Sequence, residues 1–114
     1  MSKYVILVGS YTNSVVSLEF DAANPSAINT VSSMEVGHHP SWLAGHPKDK
    51  SLVVTGLEQS DGKIVTIQYD LKTGSGRVVS EVTSAGRDPC TLLVDAAAGE
   101  VIAGNVSDLP SRKS

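Results

Sequence analysis

The sequence predicts an all-β chain made of repeated, four-stranded antiparallel units, and three observations carry that expectation. Val65, Ile67, Tyr69 and Leu71 alternate with Thr66, Gln68 and Asp70, the two-residue period of a strand with one buried face. Turn-forming clusters punctuate such runs at short intervals: Pro47-Lys48-Asp49-Lys50, Asp61-Gly62 and Gly74-Ser75-Gly76. Two separate stretches also recur in one register. Gly37 placed on Gly86, an offset of 86 − 37 = 49, puts Pro40 on Pro89, Leu43 on Leu92, Leu52 on Val101 and Val53 on Ile102 with no gap. The same offset puts Val16, Leu18, Phe20 and Asp21 on Val65, Ile67, Tyr69 and Asp70.

The elements follow in order. Tyr4 to Val8 is a β-branched run that reads as a strand buried on both faces, and its phrase "KYVILVG" returns as "KSLVVTG" at an offset of 50 − 3 = 47. A two-residue length change therefore lies in the intervening loop. Val16, Leu18 and Phe20 alternate with Ser17 and Glu19, predicting a second strand whose apolar set is buried. Strands are then expected at about 41–46, 51–57, 63–71 and 77–84, with Leu52 to Thr55 buried on both faces. The Asp61-Gly62 pair suits the positive φ angles of a tight hairpin. Ala96-Ala97-Ala98 is the only hint of helix, and it is too short to nucleate one.

Four antiparallel strands per unit at a period near 50 is the signature of a β-propeller blade. One blade cannot cover its own apolar faces, so neighbours must stack on it. The chain holds a partial blade, one full blade and half of another, fewer than a closed ring requires.

Composition narrows the function. The chain has 114 residues, 40% hydrophobic and 18% charged, in the range of a small globular domain. Its net charge is −3 and its one basic cluster is the Arg112-Lys113 tail, which argues against a nucleic-acid partner. The apolar runs are strand-length, too short for a helical membrane span, and the N-terminus shows no signal-peptide pattern. The single cysteine, Cys90, excludes an internal disulfide and fits a reducing compartment, so a cytoplasmic location is expected.

Several phrases resemble a known family. "VGSYT" at 8–12 is similar to the first strand and turn of the seven-bladed propeller lactonases, of the bacterial 6-phosphogluconolactonase and fungal carboxy-cis,cis-muconate cyclase type. "HHPSWLAGHPKDKSLVV" at 38–54 resembles the family's Asn-Pro-Ser-Trp-Leu…His-Pro phrase, with His39 where Asn is usual. "GRDPCTLLVD" at 86–95 resembles its Gly-x-x-Pro-Cys-His…Asp phrase, with Thr91 in place of His. The resemblance runs from about residue 4 to Asn105, whereas 106–114, "VSDLPSRKS", is expected to be a non-family, irregular tail.

The resemblance implies about two blades of an incomplete seven-bladed fold. It implies that the full-length form would hydrolyse a sugar lactone such as 6-phosphogluconolactone, with no cofactor. In the family the pocket lies at the mouth of the central channel, and its catalytic side chains come mainly from later blades. No catalytic residue is therefore assignable here, and the chain alone is expected to be inactive. The alternatives are carboxymuconate cyclase chemistry or a non-catalytic propeller that binds partners. Against the latter, the Trp-Asp and Gly-Gly signatures of interaction propellers are missing from this sequence. The open blade edge is expected to favour self-association.

One residue is singled out for substrate. Glu58 follows the second strand of the full blade, where the resemblance implies a pocket-facing Asn-Glu; the plainer reading is a solvated loop carboxylate. Asn105, at the corresponding end one blade later, is expected to bond local backbone. His38, His39 and His46 are expected to be loop histidines rather than zinc ligands, because no compact Cys or carboxylate set accompanies them. Cys90 is expected to be a small buried thiol, Trp42 a core or blade-interface residue, and Gly74-Ser75-Gly76-Arg77 a turn rather than a phosphate loop.

Overall fold

The computed structural model describes residues 3–107 except Pro25, Leu71, Ala96, Ala98 and Gly99. Nine strands run in chain order: β1 (Lys3–Val8), β2 (Ser14–Asp21), β3 (Ile28–Glu35), β4 (Pro40–Gly45), β5 (Leu52–Leu57), β6 (Lys63–Tyr69), β7 (Gly76–Thr83), β8 (Arg87–Asp95) and β9 (Glu100–Ser107). They form antiparallel sheets of three, four and two strands, ordered β1-β2-β3, β4-β5-β6-β7 and β8-β9. The expected partial, full and half blades are these three sheets. Leu71 and residues 108–114, and with them most of the expected tail, lie outside the described residues, and of the alanine run only Ala97 lies within them, in a turn. The strand β9 continues through Val106 and Ser107, two residues beyond the expected boundary at 105.

The sheets stack face to face in chain order. One core lies between the first and second sheets: Val15 and Val36 pack with Val53, Leu57, Val65, Ile67 and Tyr69, supported by Leu7, Met34 and Leu43. A smaller one lies between the second and third: Val54, Ile64 and Leu92, with Ala44, Val94 and Ala103. Only the middle sheet is covered on both faces. Its β5 is accordingly buried at every position from Val53 to Leu57, the continuous pattern expected of a strand buried on both sides.

The first sheet differs from expectation for the same reason. In β2 the fully buried residues are Val15 and Ser17, both 0% exposed, and Val16, Leu18 and Phe20 lie on the opposite face, only half-buried. The pairs Tyr4↔Phe20, Ile6↔Leu18 and Val8↔Val16 put six apolar side chains on that outer face. No described strand lies in front of it, so β1 is not buried on both faces. Alternation alone could not say which of two apolar-compatible faces meets a neighbour.

The structure also refines the repeat. Leu43 pairs with Thr55, and its equivalent Leu92 pairs with Ala103, so the second member of the pair has moved by 103 − 55 = 48. The gapless match at 49 therefore slips by one residue in the turn before β9. Val101, not Ile102, is the counterpart of Val53, and Ile102 is the counterpart of Val54. Three second strands then carry a glycine at one common position: Gly9, Gly56 and Gly104. A side chain on Gly9 would strike the Pro40 carbonyl, and one on Gly56 would sit 3.2 Å from the Pro89 carbonyl. Gly9 and Gly56 thus each admit the buried proline that opens the next blade, whereas a side chain on Gly104 would meet Thr91 of its own sheet.

The connection between β5 and β6 is not the tight hairpin expected. It is a five-residue loop, 58–62, and neither Asp61 nor Gly62 has a positive φ. Gly62 is needed for close approach instead: its N–H donates to the Gly86 carbonyl at 3.0 Å, and an added Cβ would lie 2.7 Å from Pro89 Cδ. Gly74, by contrast, has φ +77° in the expected β6–β7 turn.

Candidate functional site

The blade crossovers bring separate loops together at one end of the sheets. His39 (φ 53°) and Asp88 (φ 51°) hold the same left-handed conformation one repeat apart, each directly before a buried proline. That conformation costs a non-glycine residue about 1–2 kcal/mol, so it must be held by its surroundings. It is held by cross-blade bonds at matching places: the His39 N–H donates to the Thr12 carbonyl at 3.0 Å, and the Asp88 N–H to the Gln59 carbonyl at 2.9 Å. The freed His39 carbonyl accepts from the Glu58 N–H at 3.0 Å, which fixes the backbone of Glu58 beside the start of β4.

Glu58 then becomes the centre of a polar cluster. The Tyr11 hydroxyl donates to Glu58 Oε1 at 3.1 Å, and the Ser41 hydroxyl donates to Oε2. The Glu58 bond and its negative charge push the Tyr11 phenol above its ordinary value, since losing the proton would place two anions side by side. The Tyr11 ring stacks on His39 at a centroid separation of 4.8 Å, and His39 stacks on His38 at 3.6 Å. Ser10, Tyr11, Ser41, Glu58 and Cys90 together line an open depression of about 440 Å³ that draws on all three sheets or their loops. No Lys or Arg is among these lining residues.

A second depression of about 400 Å³ follows the β6–β7 hairpin, but its polar groups are engaged locally. Asp70 Oδ1 accepts from the Lys72 N–H, and Arg77 donates to Gln68. A smaller, largely apolar one of about 140 Å³ lies between the first two blades, lined by Val5, Leu7, Val53 and Tyr69 among others, whereas the Glu58 depression draws side chains from all three.

The other residues singled out in the sequence lie as follows. His46 Nδ1 accepts the Lys48 and Asp49 N–H groups, both at 3.1 Å, and so shapes its own turn. Among the described residues no three His, Cys, Asp or Glu side chains converge on a metal position, and no helix is long and apolar enough to cross a membrane. Asn105 bonds to backbone, but not locally: its Nδ2 donates to the Ser84 carbonyl at 3.0 Å, tying β9 to the loop before β8. Cys90 is half-buried rather than buried, and its thiol faces the Gly104 carbonyl at 3.9 Å. Trp42 is 43% exposed and belongs to neither core, because it stands on the rim of the middle sheet beside the small Gly56.

Sequence reasoning missed Tyr11 and Ser41, and it read Cys90 as a buried thiol and not as part of this depression. A signal was available: at the offset of 47 Tyr11 is the repeat counterpart of Glu58, and at 48 the next counterpart is Val106. One structural position thus carries Tyr, Glu and Val in successive blades.

The model of the family described as Lactonase, 7-bladed beta-propeller, matches residues 5–108. The chain belongs to this family. A candidate 6-phosphogluconolactonase from Bacteroides uniformis has the same fold, with a TM-score of 0.82 at 23% identity over 94% of this chain and 32% of that one. A second candidate 6-phosphogluconolactonase, from Bacteroides fragilis, gives a TM-score of 0.81 at 26% identity over 93% of this chain and 30% of that one. The lactonase-family chain therefore spans about a third of the length of these two structures. No curated sequence matches it.

Proposed function

We propose that this chain supplies blades of a propeller that hydrolyses a sugar lactone of the 6-phosphogluconolactone kind, and that the Glu58 depression is part of its lactone pocket. The observation that carries the reading is the carboxylate of Glu58, pinned by the Tyr11 and Ser41 hydroxyls where three blades meet. A carboxylate offers roughly four acceptor sites. Two are taken by the protein, so the remainder can accept hydrogen bonds from the hydroxyls of a sugar lactone or from a water molecule.

Lactone hydrolysis adds water to the ring carbonyl and expels the ring oxygen as an alcohol. The step needs a group that accepts a proton from the water and donors that stabilise the oxyanion. Glu58 suits the first requirement or the orientation of the polyol. The second calls for a cation, and a phosphate on the substrate calls for more of them. With none among the lining residues, those groups belong to other blades of the ring, and the 114-residue chain alone is inactive.

A chimera tests this reading. Residues 5–107 would replace the matching third of the Bacteroides fragilis relative, and consumption of 6-phosphogluconolactone would be followed for the chain alone, the chimera and its Glu58→Gln form. The expected result is no turnover by the chain, turnover by the chimera, and a loss of about a hundredfold or more with Glu58→Gln, the low end of what a proton-accepting group contributes. A Glu58→Gln chimera as active as its parent would remove Glu58 from the pocket.

A further inference from the structure

His39 holds two members of the Glu58 cluster with two different parts of itself. Its backbone makes bonds that are open to any residue in the left-handed conformation: at φ 53° its N–H donates to the Thr12 carbonyl and its carbonyl accepts from the Glu58 N–H, both at 3.0 Å. Asp88, one repeat later, makes the first of these bonds at φ 51°, to the Gln59 carbonyl, and it has no ring. The crossover therefore does not need an imidazole. Neither hydrophobic core contains it either. The ring contacts that do exist lead to the site: His39 lies between His38, at a centroid separation of 3.6 Å and an interplanar angle of 22°, and Tyr11, at 4.8 Å and 29°.

Tyr11 depends on that support. Its side chain is 65% exposed, and its bond to Glu58 Oε1 is 3.1 Å, long for a hydroxyl on a carboxylate, where about 2.5–2.7 Å is usual. An exposed ring held by one long bond readily trades that bond for water, because staying in place costs it rotamer freedom. Stacking on His39 restricts the ring before the bond forms. We infer that His39 is a positioning residue of the Glu58 site, its imidazole fixing the Tyr11 ring so that the phenol stays on Glu58 Oε1 and the carboxylate keeps its direction in the depression. The inference rests on the reading of that depression as part of a lactone pocket, and it adds the residue that sets the direction of the carboxylate. At this position the family phrase that the chain resembles has Asn. Asn also adopts the left-handed conformation but has no aromatic face, so the stack is what His39 contributes in this chain.

His39→Asn separates the ring from the backbone. Its far-ultraviolet circular dichroism and urea midpoint should match those of the parent chain, because Asn accepts the left-handed φ. The Glu58 contact raises the Tyr11 phenol, so the phenol reports whether the two groups stay together. Read as the difference in ultraviolet titration between each chain and its Tyr11→Phe partner, it should lose its elevation in His39→Asn and keep it in His39→Phe, which restores a ring. In the chimera, His39→Asn should lower kcat/KM by about two- to tenfold, the range of one aromatic pair, and His39→Phe should recover most of the loss. The result with Asn stands whether or not Phe is tolerated at φ 53°. An unmoved Tyr11 titration in folded His39→Asn would overturn the inference and leave the lactone reading standing. A His39→Asn chimera as active as its parent, or a folded His39→Phe chain that loses the elevation as His39→Asn does, would also overturn it. A Glu58→Gln chimera as active as its parent would instead remove the lactone reading, and the positioning role with it, whatever the titration shows.

Discussion

Replacing Ile67 by Ala should cost far more than replacing Leu18 by Ala, although the two positions are repeat counterparts on strands of the same kind. Ile67 is 0% exposed between the first and second sheets, packed among Val15, Val53 and Val65. Its truncation removes three carbons at about 0.8 kcal/mol each and leaves a cavity in a closed core, for a total near 3–4 kcal/mol. Leu18 loses the same three carbons from a half-buried outer face, where no cavity is sealed, so about 1–1.5 kcal/mol is expected. Urea unfolding followed through the single tryptophan, Trp42, would compare them at low micromolar concentration. With a slope of about 1–2 kcal/mol per molar urea, the midpoint should fall by roughly 2 M for Ile67→Ala and by less than about 1 M for Leu18→Ala. Equal losses at the two sites would refute the assignment of one face as core and the other as open.

Three further outcomes follow from the same geometry. Gly62→Ala should destabilise by about 1–3 kcal/mol through overpacking against Ser84 and Pro89, whereas Gly45→Ala, with nothing within 4 Å of the new methyl, should be neutral or slightly stabilising in thermal unfolding. The Tyr11 phenol should titrate above the ordinary tyrosine range, and Glu58→Gln should bring it back down in an ultraviolet pH titration. Because the folded state favours the protonated phenol, any stability from this contact is complete below the ordinary tyrosine pKa and is lost as pH rises through the raised one. Asp49 has the opposite sign: the Ser51 hydroxyl and N–H hold its carboxyl below the usual value. Its contribution to the turn before β5 is present above the ordinary carboxylate pKa and lost as pH falls through the lowered one, and Asp49→Ala should remove that part of the pH dependence of unfolding.

The sequence by itself determined most of the strands, though not β3 (Ile28–Glu35), whose Asn, Thr and Ser residues break the apolar alternation, and it determined their grouping into blades and the order in which the blades follow. It could do so because a β-strand shows its period locally, and because the repeat states the same pattern twice. Glu58 could be picked out at the end of its strand only through the family resemblance, since its own neighbours read as those of a solvated loop carboxylate. Contacts made across sheets were decided only by the tertiary structure. Which face of β2 is buried depended on the middle sheet lying against Val15 and not against Leu18. The role of Gly62 depended on Ser84, Gly86 and Pro89 crowding it from another loop. The union of Tyr11, Ser41, Cys90 and Glu58 depended on the crossovers held by His39 and Asp88, which join residues as far apart as 10 and 90 in one depression. Periodicity is a property of one strand, and burial and convergence are properties of several, so the second kind of information comes into being only when the blades stack.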